Sequence, residues 1–436
     1  MAQEFTRTTV PAILPPVQHT LQMMRDPLRF LNSLPAHGDL VNIWLGPIRA
    51  VVVCHPELHR QVMLRDNVFD KGGFLYDQGR EVLGDGLIAC RHVKHLRDRR
   101  LAQPAFHHSR MPDYARIMLD QITAYADTWQ PGAVLDPVRE MTAVTAQITA
   151  ATMFGDRITA AELDALNAGF AELARGWYLR ILQPGPIRRL PILGNRRYNR
   201  TRDQLRSTLT RMITAAKHDG TDHGDLLSML VAAADDDGTG WTDDELLEQV
   251  VNFFIAGVET TANLLAWTWQ LLSEYPDIQN RLHTEVDAAD RPLQADSLPW
   301  TRQIITETLR LYPPAWLLTR QTTTDTELGG HHLPAGTTMI VSAYLLHHRP
   351  DLFPNPEQFR PQRWADTDPA RDAYVPFSAG ARKCIGDSVA MTESILVLAT
   401  IAARWQLEPA TGRPIKPARS AALSPHAARI RITARD

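Results

Sequence analysis

Cysteine is scarce in this chain, with three residues among 436: Cys54, Cys90 and Cys384. The count is odd and no pair sits at a metal spacing such as C-x-x-C. That argues against a disulfide framework and for a reducing compartment. An excess of one charge is lacking as well. Forty-six basic against 49 acidic residues leave a net charge of −3, and with it no electrostatic case for nucleic acid. No uninterrupted apolar run reaches the ~18–20 residues of a membrane span, so none is expected. Met1 to Pro16 has no charged-then-apolar leader pattern and carries Pro11, Pro15 and Pro16. It reads as an extended arm, residues 1–20, of a soluble, untargeted, cytoplasmic protein. Repeats, low-complexity segments and linkers are absent too. The length alone suggests roughly two or three domains, yet with no linker the expectation is one domain over residues 1–436. The one sharp charge run, Asp235-Asp236-Asp237-Gly238, fits a solvated loop.

What the chain does have is helix. After a helical stretch near 26–36, two β runs, 40–45 and 49–54, flank Gly46-Pro47 and predict a hairpin. Short helices and a glycine-rich segment, 71–86, follow. Residues 111–230 are mostly amphipathic helix, broken at Pro131-Gly132 and Pro184-Gly185-Pro186. A second β-rich patch spans 319–340, a proline-crowded stretch 350–361, and a last β-like run 407–432. The fold class is mainly α with small peripheral β-sheets, an α+β layout. One helix stands out, from Trp241 to Tyr275, ended by Pro276. Thr242 and Glu245 form a capping-box pattern at its start, with Asp243 and Asp244 at the positive end. Roughly 34 residues at 1.5 Å each span about 50 Å, enough to cross a whole domain.

Two segments carry chemistry. The run Phe377-Ser378-Ala379-Gly380-Ala381-Arg382-Lys383-Cys384-Ile385-Gly386 reads F-x-x-G-x-R-x-C-x-G. A thiolate donates strongly to iron and favours O–O cleavage, but a free thiol with a pKa of about 8.5 needs help to ionise. The helical pattern from Asp387 to Trp405 supplies a helix N-terminus beside Cys384, where an anion is favoured. The two glycines let the backbone turn tightly and pass close to a neighbouring group. In the middle of the long helix lies Ala256-Gly257-Val258-Glu259-Thr260-Thr261. The small pair leaves room for a ligand, a threonine hydroxyl bends the hydrogen-bond ladder, and Glu259 sets an acid beside the Thr260 alcohol.

Both segments resemble the cytochrome P-450, or haem-thiolate monooxygenase, family: the first its haem-ligand loop, the second its A-G-x-[D/E]-T-[T/S] oxygen-binding helix. Two weaker patterns fall in the family's order. Glu307-Thr308-Leu309-Arg310 is E-x-x-R, by itself no more than an i,i+3 pair worth a few tenths of a kcal/mol. Pro356 to Trp364 resembles P-x-x-F-x-P-x-R-[FW]. The segment His95 to Phe106 is similar to W-x-x-x-R-R-x-x-x-P-A-F, with His95 in place of the tryptophan. The resemblance spans 30–420 and implies a single triangular, haem-enclosing domain. It implies haem b (iron protoporphyrin IX) ligated by Cys384, with Phe377 shielding the sulfur. His95, Arg99, Arg320 and Arg382 would meet the propionates, and Gly380, Ala256 and Gly257 would adjoin the cofactor. Glu259 and Thr260 are the expected proton-delivery pair for dioxygen activation. Glu307, Arg310 and Arg363 are structural. Electrons would come from NAD(P)H through a ferredoxin reductase and a separate ferredoxin, docking on Arg91, Lys94, Arg97, Arg100 and Lys383. The protein is expected to be a monomer.

The family's substrate-reading segments here offer Phe74, Leu75, Tyr76, Leu83, Leu87, Ile88, Trp177, Tyr178, Leu182, Phe253, Ala256, Val258, Trp316, Leu317 and Leu318. Nearly all are apolar, which favours a substrate without a carboxylate anchor. Trp316-Leu317-Leu318-Thr319-Arg320, Asp70-Lys71-Gly72-Gly73 and Gln103-Pro104-Ala105-Phe106 resemble bacterial terpene-oxidising members. The expected activity is therefore insertion of one atom of O2 into a C–H bond of an apolar molecule, a cyclic sesquiterpene hydrocarbon in secondary metabolism. Other readings stay open: oxidation of a polyketide, fatty acid or steroid, and a haem-thiolate peroxygenase or haem sensor. A Mg-dependent terpene cyclase built on Asp235–Asp237 and Asp243-Asp244 is a third.

Overall fold

Leu40–Leu45 and Ile48–Val53 pair antiparallel, Leu40 opposite Val53 and Leu45 opposite Ile48, as the Gly46-Pro47 signal predicts. In this computed structural model residues 4–181, 193–235, 238–365, 373–412, 415–418 and 422–435 are described. They fall into two compact units: Met1–Asp77 with Leu309–Cys384, and Gln78–Thr308 with Ile385–Asp436.

The first unit is built on the hairpin. Arg7–Thr9 adds to its outer edge in parallel, and Thr338–Val341, Leu318–Thr322 and Phe69–Asp70 extend the other side into a six-stranded sheet. Ile48–Val53 is a near-continuous apolar run because both faces of this sheet are covered. Ala50 and Val52 pack with Ile340, Leu345 and Leu346 on one side. Val51 and Val53 pack with Leu58, Val62 and Phe69 on the other. The arm departs from the expectation of an extended 1–20. It is extended only at its start, and a helix, Pro15–Arg25, begins inside it. Proline at the first helical position loses no hydrogen bond and has its φ already set, so Pro15-Pro16 starts a helix here.

The second unit is helical. Its axis is Asp243–Glu274, 32 residues opened by the Thr242/Glu245 capping box with both bonds made, and Pro276 starts the next helix. Pro137–Phe154 packs along it, capped by the Asp136 side chain. Met111–Ala126 and Asp387–Ala402 pack together, and Ala160–Ile181 and Leu193–Asp219 pack together. The Pro184-Gly185-Pro186 break lies outside the described residues. The terminal β-like run divides into Trp405–Pro409, which pairs with Ile430–Ala434, and a small ribbon of Lys416–Pro417 with Pro425–His426; Ile430–Ala434 also pairs with Val134–Leu135. By length and hydropathy, Asp243–Glu274 is long and apolar enough to cross a membrane, but 67% of its most apolar stretch is buried inside the protein. It reads as a core helix.

Candidate functional site

In the first unit the loop ending at Cys384 is held by its own backbone. Ser378 N–H donates to Val375 O, Lys383 N–H to Gly380 O at 3.0 Å, and Cys384 N–H to Phe377 O at 2.9 Å. Gly380 has φ +71°, and a Cβ there would lie 2.5 Å from Met63 O. Its glycine is thus demanded by the backbone at the end of helix Pro56–Leu64, a protein contact where the sequence predicts approach to a macrocycle. Val375 N–H donates to His347 Nε2 at 3.0 Å, and His347 Nδ1 faces Arg310 O at 3.1 Å. An Nε2 that accepts must be unprotonated, so this buried ring is the neutral Nδ1–H tautomer. Burial holds its pKa well below the usual histidine value. Of the three thiols, Cys54 and Cys90 are buried and Cys384 is exposed. Desolvation pushes Cys54 up to about 12. The helix that the sequence places after Cys384 begins three residues on, at Asp387.

The four candidate propionate partners separate into different environments. Arg382 is buried and donates from Nε to Asp66 at 3.1 Å and from Nη2 to Asp70 at 2.7 Å. Two carboxylates satisfy a buried guanidinium. These two edges serve Asp66 and Asp70, partners the sequence does not name. Arg320 differs. It is 2% exposed, yet its partners are Thr319 O at 3.0 Å, the Met63 sulfur at 3.7 Å and the Tyr76 ring at 5.9 Å. Among the described residues no carboxylate pairs with it. A buried cation in neutral surroundings is costly and calls for an anion. His95 and Arg99, in the second unit, lie one turn apart on His92–Ala102. His95 is buried, and half-buried Arg99 donates to Gln103 at 3.0 Å.

On the long helix, Thr260 is exposed and its hydroxyl donates to Ala256 O at 2.6 Å. This is the back-bond that bends helices. Burial raises the Glu259 carboxyl pKa above the ordinary range. Ala256 is half-buried. The missing side chain of Gly257 faces Thr149, where a Cβ would meet Oγ1 at 3.0 Å, and neighbouring Thr145 donates to Val258 O at 3.3 Å. Gly257 thus allows close packing of two helices.

Glu307 and Arg310 lie on helix Pro299–Leu311, and both are fully buried. A surface salt bridge is excluded. Arg310 donates to His347 O and Gln358 O, and Arg363 to Pro354 O and Asn355 O. Arg310 thereby ties His347 to the proline-crowded segment, and Arg363 holds two carbonyls within it.

Among the residues assigned to a pocket, Leu75, Leu83, Ile88, Trp316, Leu317 and Leu318 are half-buried, and Leu87, Phe253 and Val258 are buried. Phe253 meets Phe106 at 5.2 Å between ring centroids. Tyr76 is buried beneath two cations, Lys71 and Arg320. Leu182 and the side chains of Phe74, Trp177 and Tyr178 lie outside the described residues. Three of the basic residues expected at a docking patch carry ion-pair partners. Lys94 is held by Asp98, Arg97 by Glu245 and Arg100 by Asp235. The same pairing occupies Asp235 of the acidic run, and Asp243 pairs with Lys217. Residues the sequence alone does not single out are His347, Asp66, Gln249 and Asn252. No signal marks them, because each acts on a partner distant in the chain.

Comparison with known proteins agrees with this arrangement. The cytochrome P450 family model matches residues 10–432. The chain is 45% identical over 418 residues to cyclooctat-9-en-7-ol 5-monooxygenase of Streptomyces melanosporofaciens, covering 94% of this chain and 91% of that one. It is 40% identical over 440 residues to pentalenene oxygenase of Streptomyces avermitilis, covering 99% and 98%. The crystal structure of the cytochrome P450DA heme domain superposes with a TM-score of 0.87 at 22% identity over 100% of this chain and 99% of that one, a likeness of fold. With the exposed cysteine at the end of its loop and the Glu–Thr pair on its long helix, the chain belongs to the cytochrome P450 family and is a monooxygenase of that family.

Proposed function

We propose that this monooxygenase hydroxylates a cyclic terpene, a sesquiterpene hydrocarbon being the first class to test. One observation carries the reading. Two relatives, each matching over nine-tenths or more of both chains, are named for oxidising cyclooctat-9-en-7-ol and pentalenene. The apolar character of Leu87, Ile88, Phe253, Val258, Trp316 and Leu317 supports it. A hydrocarbon gains binding from area, roughly 25 cal/mol per Å² buried, and has nothing to offer a charged anchor.

The residues fit a haem. Cys384 is the exposed thiol, and Arg320 is a buried cation without a carboxylate among the described residues. Cys384 would hold the iron, with Phe377 beside it. Arg320, His95 and Arg99 would hold the propionates, and Arg382 would brace the loop through Asp66 and Asp70. When bound, the haem supplies activation of O2. Glu259 and Thr260 hold and pass the proton that this chemistry consumes, and Ala256 leaves space beside them. We further propose a separate ferredoxin and its NAD(P)H-dependent reductase as electron source, a cytoplasmic location, a monomeric state and one catalytic domain comprising both units.

The test is a titration of the purified holoenzyme with pentalenene, lauric acid and a macrolide, followed by turnover under labelled O2. The terpene reading expects a blue shift of the Soret band at micromolar pentalenene and a product carrying one labelled oxygen. A shift with the acid or the macrolide and none with terpenes would overturn it.

A further inference from the structure

We infer that Gln249 and Asn252 are positioning residues for substrate selection: from the long helix they latch the main chain of the 83–88 segment, and Asp98 fixes the orientation of the latch. This rests on the proposed function, in which Leu87 and Ile88 face substrate.

Gln249 is 0% exposed and uses both ends of its amide. Its Oε1 accepts the Leu87 N–H at 3.0 Å, and its Nε2 donates to Asp98 Oδ2 at 2.7 Å. The carboxylate only accepts and the N–H only donates, so a flipped amide would break both bonds at once. Asp98 is itself 0% exposed. Besides Gln249 it accepts from Trp241 Nε1 at 3.0 Å and Lys94 Nζ at 2.6 Å, the pairing a buried charge requires. Asn252 lies three residues along the helix and so shares the face of Gln249. Its Oδ1 accepts the Ile88 N–H at 2.9 Å, and its Nδ2 donates to Leu83 O at 2.7 Å. Between these points Gly86 comes so close that a Cβ would sit 2.5 Å from Asn252 Nδ2.

Every bond that Gln249 and Asn252 make to the 83–88 segment goes to its main chain. The latch is therefore indifferent to the side chains at 87 and 88, while setting where they stand. Side chains there can change selectivity without loss of the fold, and loss of the latch changes selectivity without altering either side chain. Neither Gln249 nor Asn252 belongs to the proton-delivery pair, so the thiolate spectrum is expected to stay native when they are replaced.

The experiment uses holoenzyme carrying Gln249→Met or Asn252→Ala and reads two quantities. Hydrogen exchange at the Leu87 and Ile88 amides needs no substrate. Loss of a buried hydrogen bond should speed it by about tenfold or more, at Leu87 in the first variant and Ile88 in the second, with the rest of the long helix unchanged. The ratio of spectral dissociation constants for pentalenene and lauric acid should then move by about tenfold, with the CO-bound spectrum unaltered. Native exchange at both amides in both variants would overturn the latch. Faster exchange with an unmoved ratio would reduce it to a structural brace and overturn the role in selection. If pentalenene fails to bind even the native enzyme, the terpene reading fails, while the exchange measurement still decides the latch. Should Gln249→Met not fold, Asn252→Ala decides the latch through Ile88.

Discussion

Replacing Arg320 by leucine separates a cation that serves a cofactor from one that serves the protein. Arg320 is buried, and its partners are a carbonyl, a thioether and a ring. Removing it strips the chain of a charge that nothing among the described residues neutralises. The apoprotein should therefore keep or gain stability, because a buried cation without an anion is a cost. Haem should be lost more readily. A hydrogen bond to a charged group contributes about 1.5–3 kcal/mol, so haem affinity should fall by about 10- to 150-fold. Arg382→Leu is the control with the opposite pattern. It would take the shared guanidinium from buried Asp66 and Asp70, and breaking such a pair costs about 3–5 kcal/mol with or without haem. The assay pairs haem transfer to an excess of a scavenging apoprotein with the thermal midpoint of the apoprotein. Native transfer from Arg320→Leu, or an apoprotein that loses several kcal/mol, would refute the reasoning. Either result would mean that Arg320 is already compensated within the chain.

Other consequences follow from the same geometry. Thr260→Ala should keep haem and ligand binding but divert electrons to peroxide, lowering product by roughly 100-fold or less; unchanged coupling of NAD(P)H to product would exclude the role. Because burial raises the Glu259 pKa, its acid form persists to higher pH than an ordinary carboxyl and is lost as pH climbs through the raised value. Glu259→Gln should remove that limb of the pH–rate profile. Glu393 is buried, its Oε1 meets no hydrogen-bond partner among the described residues, and desolvation lifts its pKa from 4.5 to about 8. The folded form keeps a proton that the unfolded chain has released, so this stability is full below about pH 4.5 and is lost as pH rises toward 8. At pH 7 the cost is on the order of 3 kcal/mol. Glu393→Gln should flatten the dependence, and a parallel decline in denaturation midpoint from pH 5 to 8 would contradict it.

Local signals are legible in the sequence where one segment carries both halves of an interaction. Thr242 and Glu245 sit three residues apart and make the cap that the pattern demands. The Gly46-Pro47 hairpin and the helix after Cys384 are of the same kind. Partners distant in the chain are illegible. Arg382 and Asp66 are 316 residues apart, and Gln249 and Leu87 are 162 apart, so no window holds both. The glycines mark the boundary. Their positions at 257 and 380 are visible, but the backbone or side chain each must clear, Thr149 or Met63, belongs to another element. Pro15-Pro16 misleads for the converse reason, since proline signals extension in a loop and initiation at a helix start.

The most direct measurement is the spectrum of the reduced, CO-bound protein in four forms: native, Cys54→Ala, Cys90→Ala and Cys384→Ala. Ligation by Cys384 requires the red-shifted band of a thiolate-bound haem in the first three and its loss in the fourth. A band that survives Cys384→Ala, or that disappears with Cys54 or Cys90, would contradict it.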